Sequence, residues 1–275
     1  MISTLFGFFL VMKAEVVRML IIMRRYWFAS VLGIVIGYGM MVMLIFAFVS
    51  QRDRVDELTA NMQGGMEGAL GLMIGLWAFG LTGLFTQGLQ GMARTGELEQ
   101  VCMSPYGLVT NFFARSFVMA LNSIFSLGIM LVLISWTLGA PLFVHPVVTP
   151  VLAFLTFANL TGFGFMVGGL VLVFKQTGQI AMILRLIMLG LALLATTTNM
   201  QEWPLLARFM VHLLPITDAA ICLKMAILED AGYAVFQHPS FAFLLVSCVI
   251  WNVIGVSLFH YMEDWSRDKG TLGTY

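Results

Sequence analysis

The chain has 275 residues, 60% hydrophobic and 10% charged, with a mean hydropathy of +0.95. Soluble domains carry about 25% charged residues, so the soluble, disordered and fibrous classes are excluded. Fourteen basic and fourteen acidic residues cancel, which argues against nucleic acid as a partner, and Cys102, Cys222 and Cys248 give neither a disulfide framework nor a CxxC metal pattern.

Residues 1–25 come first in the chain. At about 100° per residue, Phe8, Phe9, Met12, Val16, Met19, Leu20 and Met23 fall in one arc, with Lys13, Glu15, Arg18, Arg24 and Arg25 opposite. This pattern predicts an amphipathic helix in the membrane interface; the plainer alternative is the basic flank of a first transmembrane helix. The run does not read as a cleavable signal peptide, because the apolar stretch that follows is too long for one.

No Asp, Glu, Lys or Arg occurs in 26–51, 68–93, 116–174 or 231–262. A bilayer-spanning helix needs about 20 apolar residues, so spans are expected at 26–49 and 68–92. The 116–174 block would be about 88 Å long as one helix, against a hydrocarbon core of about 30 Å. It must fold back, and Gly139, Pro141, Pro146 and Pro150 mark the place. Spans at 117–138 and 150–174 follow, then 179–199 and 241–261. Six spans put both termini on one side. With that side inside, the inner segments hold ten Lys and Arg residues and the outer ones four (Arg52, Arg54, Arg208, Lys224). The positive-inside rule then makes both termini cytoplasmic.

Between spans two and three, residues 94–106 read as a short helix capped by Thr95, with Glu97 and Glu99 in its first turn, where the helix dipole favours negative charge. Pro105 and Gly107 end it. Glu97 and Glu99 lie about 200° apart on the wheel, and Leu98, Val101 and Cys102 share the stripe opposite Gln100. Docking to a soluble partner and a merely solvated loop are both open at this point. The 200–240 segment is apolar but broken by Pro204, Pro215, Gly232 and Pro239. Its two helical stretches, 205–213 and 216–228, are too short to span. They read as re-entrant or interfacial helices, a moving gate or a static lid.

Polar groups at membrane depth usually face a bundle interior or a cavity. Span two carries Thr82, Thr86, Gln87 and Gln90, and span five ends in Thr196, Thr197, Thr198 and Asn199. Hydroxyls bonding their own helix are the equally simple account of the threonines. Arg185 is expected to snorkel toward the inner interface. The pairs Gly33/Gly37, Gly71/Gly75 and Gly164/Gly168 allow close helix approach. The 21 methionines and 23 phenylalanines read mostly as core or lipid-facing.

The run Gly96-Glu97-Leu98-Glu99-Gln100, followed by Ser104-Pro105, resembles the G-T-L-E-Q…S-P signature of ABC-2 type permeases, the membrane subunits of type-2 ABC exporters. Glu97 stands where that family usually has Thr. The amphipathic amino-terminal helix, the six spans, the Leu214-Pro215…Asp218-Ala219-Ala220 stretch and the tail at 267–275 are similar in order and spacing. The resemblance implies one all-α domain over 1–275 with the type V exporter fold. Residues 94–106 would be the coupling helix, with Arg94, Glu97, Leu98, Glu99, Val101, Ser104 and Pro105 acting on the ATPase. Spans two and five would border the pathway through Thr82, Thr86, Gln87, Thr196, Thr197 and Asn199, and Pro215 and Asp218 would belong to an outer gate. It also implies a second permease protomer, identical or related, and two copies of a cytoplasmic ABC ATPase in a bacterial inner membrane. The cargo would be an amphipathic or lipid-linked molecule moved outward.

The chain has no G-x-x-x-x-G-K-[ST] phosphate loop, so ATP and magnesium are expected on the partner ATPase and no cofactor or metal on this chain. The scattered histidines His145, His212, His238 and His260 form no His-Glu-x-x-His motif, and there is no Gly-x-Ser-x-Gly; an enzyme is not expected. The rival readings are an ion-coupled transporter or channel, or a membrane assembly subunit that transports nothing. Ion coupling usually needs ionisable groups at mid-membrane, and five of the six expected spans have none.

Overall fold

The computed structural model describes residues 2–49, 58–174, 178–198 and 203–269. Every regular element among them is helical. Helix α1 (Ile2–Arg25) breaks at Tyr26 and α2 (Trp27–Val49) leaves at 79° to it. Next come α3 (Leu58–Gly83), a π-turn (Leu84–Gly88), α4 (Leu89–Thr95) and the short α5 (Glu97–Cys102). Helices α6 (Gly107–Leu138), α7 (Val148–Val173) and α8 (Gly178–Thr197) follow, then the short α9 (Leu205–Leu213) and α10 (Thr217–Ile227), a 3-10 turn and α11 (Pro239–Asp268).

Among the described residues, five helices are long and apolar enough to cross a membrane, and a sixth crossing appears if the bent α1–α2 pair counts as one. The chain is therefore an all-helical, multi-pass membrane protein. Helices α3, which starts at Leu58, α6 and α11 outrun the spans expected from charge-free stretches. Helix α6 begins at Gly107 and so includes Arg115, which ended the charge-free run and meets Glu15 of α1 at 3.7 Å. Helix α11 continues to Asp268, carried by a Glu263–Arg267 pair one turn apart at 2.6 Å.

Helix α1, expected to lie in the interface, also has a protein contact. It packs along α6, with the Phe8 and Phe113 rings 5.9 Å apart and Val11 buried. Glu15, expected on the solvated side, turns inward to Arg115. Phe9 and Leu20 of the expected apolar arc stay exposed, together with Leu10, Val17, Ile21 and Ile22 on another face. The helix is apolar on two sides because it has a protein contact and a second, uncovered surface.

Two tight pairs build the bundle. Helices α7 and α11 cross where Gly162 meets Gly255: a Cβ on Gly255 would overlap the Gly162 carbonyl oxygen. Helices α3 and α8 meet at the Gly71/Gly75 pair, where a Cβ on Gly71 would come within 2.9 Å of the Ala192 carbonyl oxygen. The Gly164/Gly168 pair instead receives the Phe85 and Leu89 side chains, and Gly33 has nothing nearby. Buried side chains gather in a large central cluster around Leu81, Leu160, Met188 and Ala219, and in a second one near α5 built on Phe85, Phe112, Phe165 and Phe259.

Candidate functional site

Gly96 adopts φ 75°, a left-handed conformation that ends α4 and starts α5 in one residue. The expected Thr95 cap is not made. Its hydroxyl donates backward, to the carbonyl oxygens of Gly91 (3.1 Å) and Met92 (3.2 Å), because Thr95 is the last residue of α4 rather than the residue before α5. Glu97 and Glu99 do occupy the first turn of α5.

The six residues of α5 divide into two faces. Leu98 is 1% exposed, set in the cluster with Leu89, Met92, Leu108, Phe112 and Phe259. Val101 and Cys102 are half-buried beside it. Leu98 thus seats the helix on its own bundle and presents nothing outward. Glu97, Glu99 and Gln100 are exposed, as are Arg94 and Pro105, and Met103 just after the helix is 78% exposed. The half-buried Ser104 accepts the Tyr106 amide at 3.4 Å.

Two distant elements hold this segment. The Tyr106 ring lies over Gly7 of α1. Arg267 near the end of α11 donates to Glu263 at 2.6 Å and to the Cys102 carbonyl oxygen at 3.5 Å. Burial, with Glu263 nearby, pushes the Cys102 thiol above its usual range. The roles of α1 and α11 here escaped the sequence reading, since both contacts join residues about a hundred or more positions apart.

The residues expected to border a pathway do not form an open one inside this chain. Thr82, Thr86 and Thr196 are buried. Thr82 donates to the Ala78 carbonyl (2.7 Å), Thr86 to Thr82 (3.2 Å) and Thr196 to Leu193 (3.0 Å). Thr197 does the same to Leu193 at 2.8 Å, though exposed. Their polarity is spent on their own helices, which pack directly against one another at Gly71 and Gly75. Gln87 is exposed, inside the π-turn, a feature often found at functional sites. Asn199 lies outside the described residues. Arg185 does not snorkel. It is 6% exposed, its Nε donates to the Phe79 carbonyl oxygen at 2.9 Å, and its guanidinium sits 3.7 Å from the centre of the Phe79 ring. The close approach at Gly83 leaves room for it there.

At the opposite end, α9 and α10 are fastened down rather than free. Asn159 of α7 donates to the Pro215 carbonyl oxygen at 3.0 Å, and Trp251 of α11 donates to that of Leu213 at 3.0 Å. Asp218, 2% exposed, accepts from His212 Nδ1 at 2.7 Å. The Ser240 side chain also bears on this carboxylate, favouring its charged form as His212 does. Burial pushes the Asp218 carboxyl up to about 6, against the lowering effect of His212. The His212 ring stacks on Phe243 of α11 at 5.2 Å. Lys224 bridges Glu67 of α3 (3.1 Å) and Glu229 (3.6 Å), and His145 meets Asp230 at 2.8 Å. Sequence reasoning singled out Pro215 and Asp218 but left His212 among the scattered histidines. A basic residue six positions before an acid, across the Leu214-Pro215 turn, was the available signal.

Among the described residues no group of three or more His, Cys, Asp or Glu side chains is placed to hold a metal ion. No family model, curated protein or solved structure matches the chain.

Proposed function

We propose that the chain is the permease subunit of an ATP-binding cassette exporter of the ABC-2 type. The observation that carries this reading is α5: a short helix seated on its own bundle through Leu98, with Glu97, Glu99, Gln100 and Met103 turned outward. A helix held this way transmits a push on its exposed face to the elements that grip it, here α1, α6 and α11.

In this reading α5 faces the cytoplasm, as do both termini, in a bacterial inner membrane. Two copies of a separate ATPase carry ATP and magnesium and close beneath two permease protomers, identical or related. Gln87 and Thr197 are exposed and are the expected pathway residues still able to meet a second protomer across a shared path. Thr82, Thr86 and Thr196 support the walls of that path. The segment carrying α9 and α10 closes the outer end. The cargo is an amphipathic or lipid-linked molecule, and this chain catalyses no reaction of its own.

The ion-coupled alternative would draw on Arg185. That residue is pinned to a backbone carbonyl and an aromatic ring, with no carboxylate partner among the described residues, which suits a packing role better than a titrating one.

The test is purification of the tagged chain from its native membranes in mild detergent. A cassette ATPase in equal proportion, whose ATP hydrolysis drops when Glu97 and Glu99 are both changed to Lys, supports the proposal. A chain that purifies without any ATPase and conducts ions in liposomes overturns it.

A further inference from the structure

The ends of α8, α9, α10 and α11 enclose a cleft of about 520 Å³, open to the surface. Its lining is divided. Arg208, His212, Lys224 and His238 bring basic groups from three directions, α9, α10 and the start of α11. Ile221, Met225 and Phe243 supply an apolar wall.

The basic groups are unequal. Lys224 is shared between Glu67 and Glu229, and Glu229 itself lines the cleft. His212 is held by Asp218 through Nδ1. Arg208 has no ion pair among the described residues and presents a guanidinium fork. His238 accepts the Ser240 amide on Nδ1 at 3.2 Å, so its neutral ring carries the proton on Nε2, leaving that nitrogen as a donor. Donors on separate helices suit a tetrahedral oxyanion better than a planar carboxylate, and the Arg fork can pair with phosphate oxygens as it does with carboxylate.

We propose that this cleft binds the phosphate group of a lipid, with Arg208 and His238 on the phosphate oxygens and the first carbons of the acyl chains against Ile221, Met225 and Phe243. Thr197, named above among the pathway residues, also lines the cleft, but the binding proposal does not rest on export: a phospholipid would occupy the cleft whether or not the chain transports, so failure of the binding test leaves the exporter reading standing.

The experiment is native mass spectrometry of the purified full chain in detergent with three probes: dihexanoylphosphatidic acid, dihexanoylglycerol and inorganic phosphate. Phosphatidic acid is expected to bind at least about tenfold more tightly than either of the others, since only it engages both walls. Arg208→Gln is expected to weaken it about tenfold, the size of one charge-assisted hydrogen bond. His238→Asn, which keeps a capping acceptor for α11, is expected to weaken it severalfold. Arg18→Gln, an exposed cation on α1, is expected to change nothing. Equal binding of inorganic phosphate would assign the cleft to free phosphate and overturn the lipid. Equal binding of dihexanoylglycerol, or unchanged affinity in both Arg208→Gln and His238→Asn, would overturn the site.

Discussion

Asn159, buried on α7, donates its side-chain amide both to the Pro215 carbonyl oxygen at 3.0 Å and to the Ser247 hydroxyl at 3.1 Å. One side chain thus joins the α9–α10 turn to the two most closely packed helices of the bundle. Asn159→Leu leaves a buried carbonyl and a buried hydroxyl short of a partner, a cost of about 1–3 kcal/mol. The melting temperature of the purified protein is expected to fall. Ser247→Ala, which leaves the bond to Pro215 in place, is expected to fall less. Equal melting temperatures for Asn159→Leu and the unmodified chain would show that this amide does not hold the segment.

Asp218 gives the segment a pH dependence. Its carboxyl titrates near 6 in the folded chain and near 4 when unfolded. Between those values the folded state holds a proton that the unfolded state has released, so stability falls as pH rises from about 4 to about 6. The loss is about 2 kcal/mol. Cys222, one turn further along α10, is pushed up to about 12 by burial and the Asp218 charge and does not titrate in that window. Asp218→Asn is expected to flatten the fall in melting temperature over this range. A parallel pair of pH profiles would contradict the assignment.

Leu98 and Glu97 are adjacent but do opposite things. Leu98→Asp places a carboxylate among Leu89, Leu108, Phe112 and Phe259, at a cost of several kcal/mol if it stays unpaired. It is expected to unseat α5 and abolish substrate-linked ATP hydrolysis while the chain still inserts. Glu97→Ala removes one exposed charge, worth about 0–1 kcal/mol, and is expected to be mild. Protease accessibility near Gly96 and ATPase rates together read the difference. A Leu98→Asp chain that resists protease and supports the unmodified rate would remove α5 from the mechanism.

Much of this architecture was legible in composition. Charge-free stretches located the long helices, and prolines located the turn between α6 and α7. What composition missed was pairing across the fold. Arg115 ended a charge-free run, yet Glu15 neutralises it inside the structure. Arg185 looked free to reach water, yet Gly83 leaves room for it against Phe79. The threonines were readable as polar but not by direction, because a hydroxyl bonding its own helix and one facing a path have the same sequence. The Gly162–Gly255 crossing has no spacing signature, since its two glycines stand on different helices.

Orientation is tested by single cysteines in a chain lacking its own three. The ten-to-four distribution of Lys and Arg predicts that Glu97 lies inside and the exposed Val144, at the other end of α6, outside. A membrane-impermeant maleimide added to intact cells is expected to label position 144 and spare position 97. The reverse pattern would invert the topology and put α5 out of reach of a cytoplasmic ATPase.

Direct contact between α5 and an ATPase is the central claim. A photo-crosslinking amino acid at Met103, the most exposed apolar position beside α5, can be activated in cells of the native host and the adduct identified by mass spectrometry. The account predicts an adduct with a cassette ATPase from positions 103 and 99, and none from position 144. Absence of an ATPase adduct at both 103 and 99, with the protein folded and in the membrane, would contradict it.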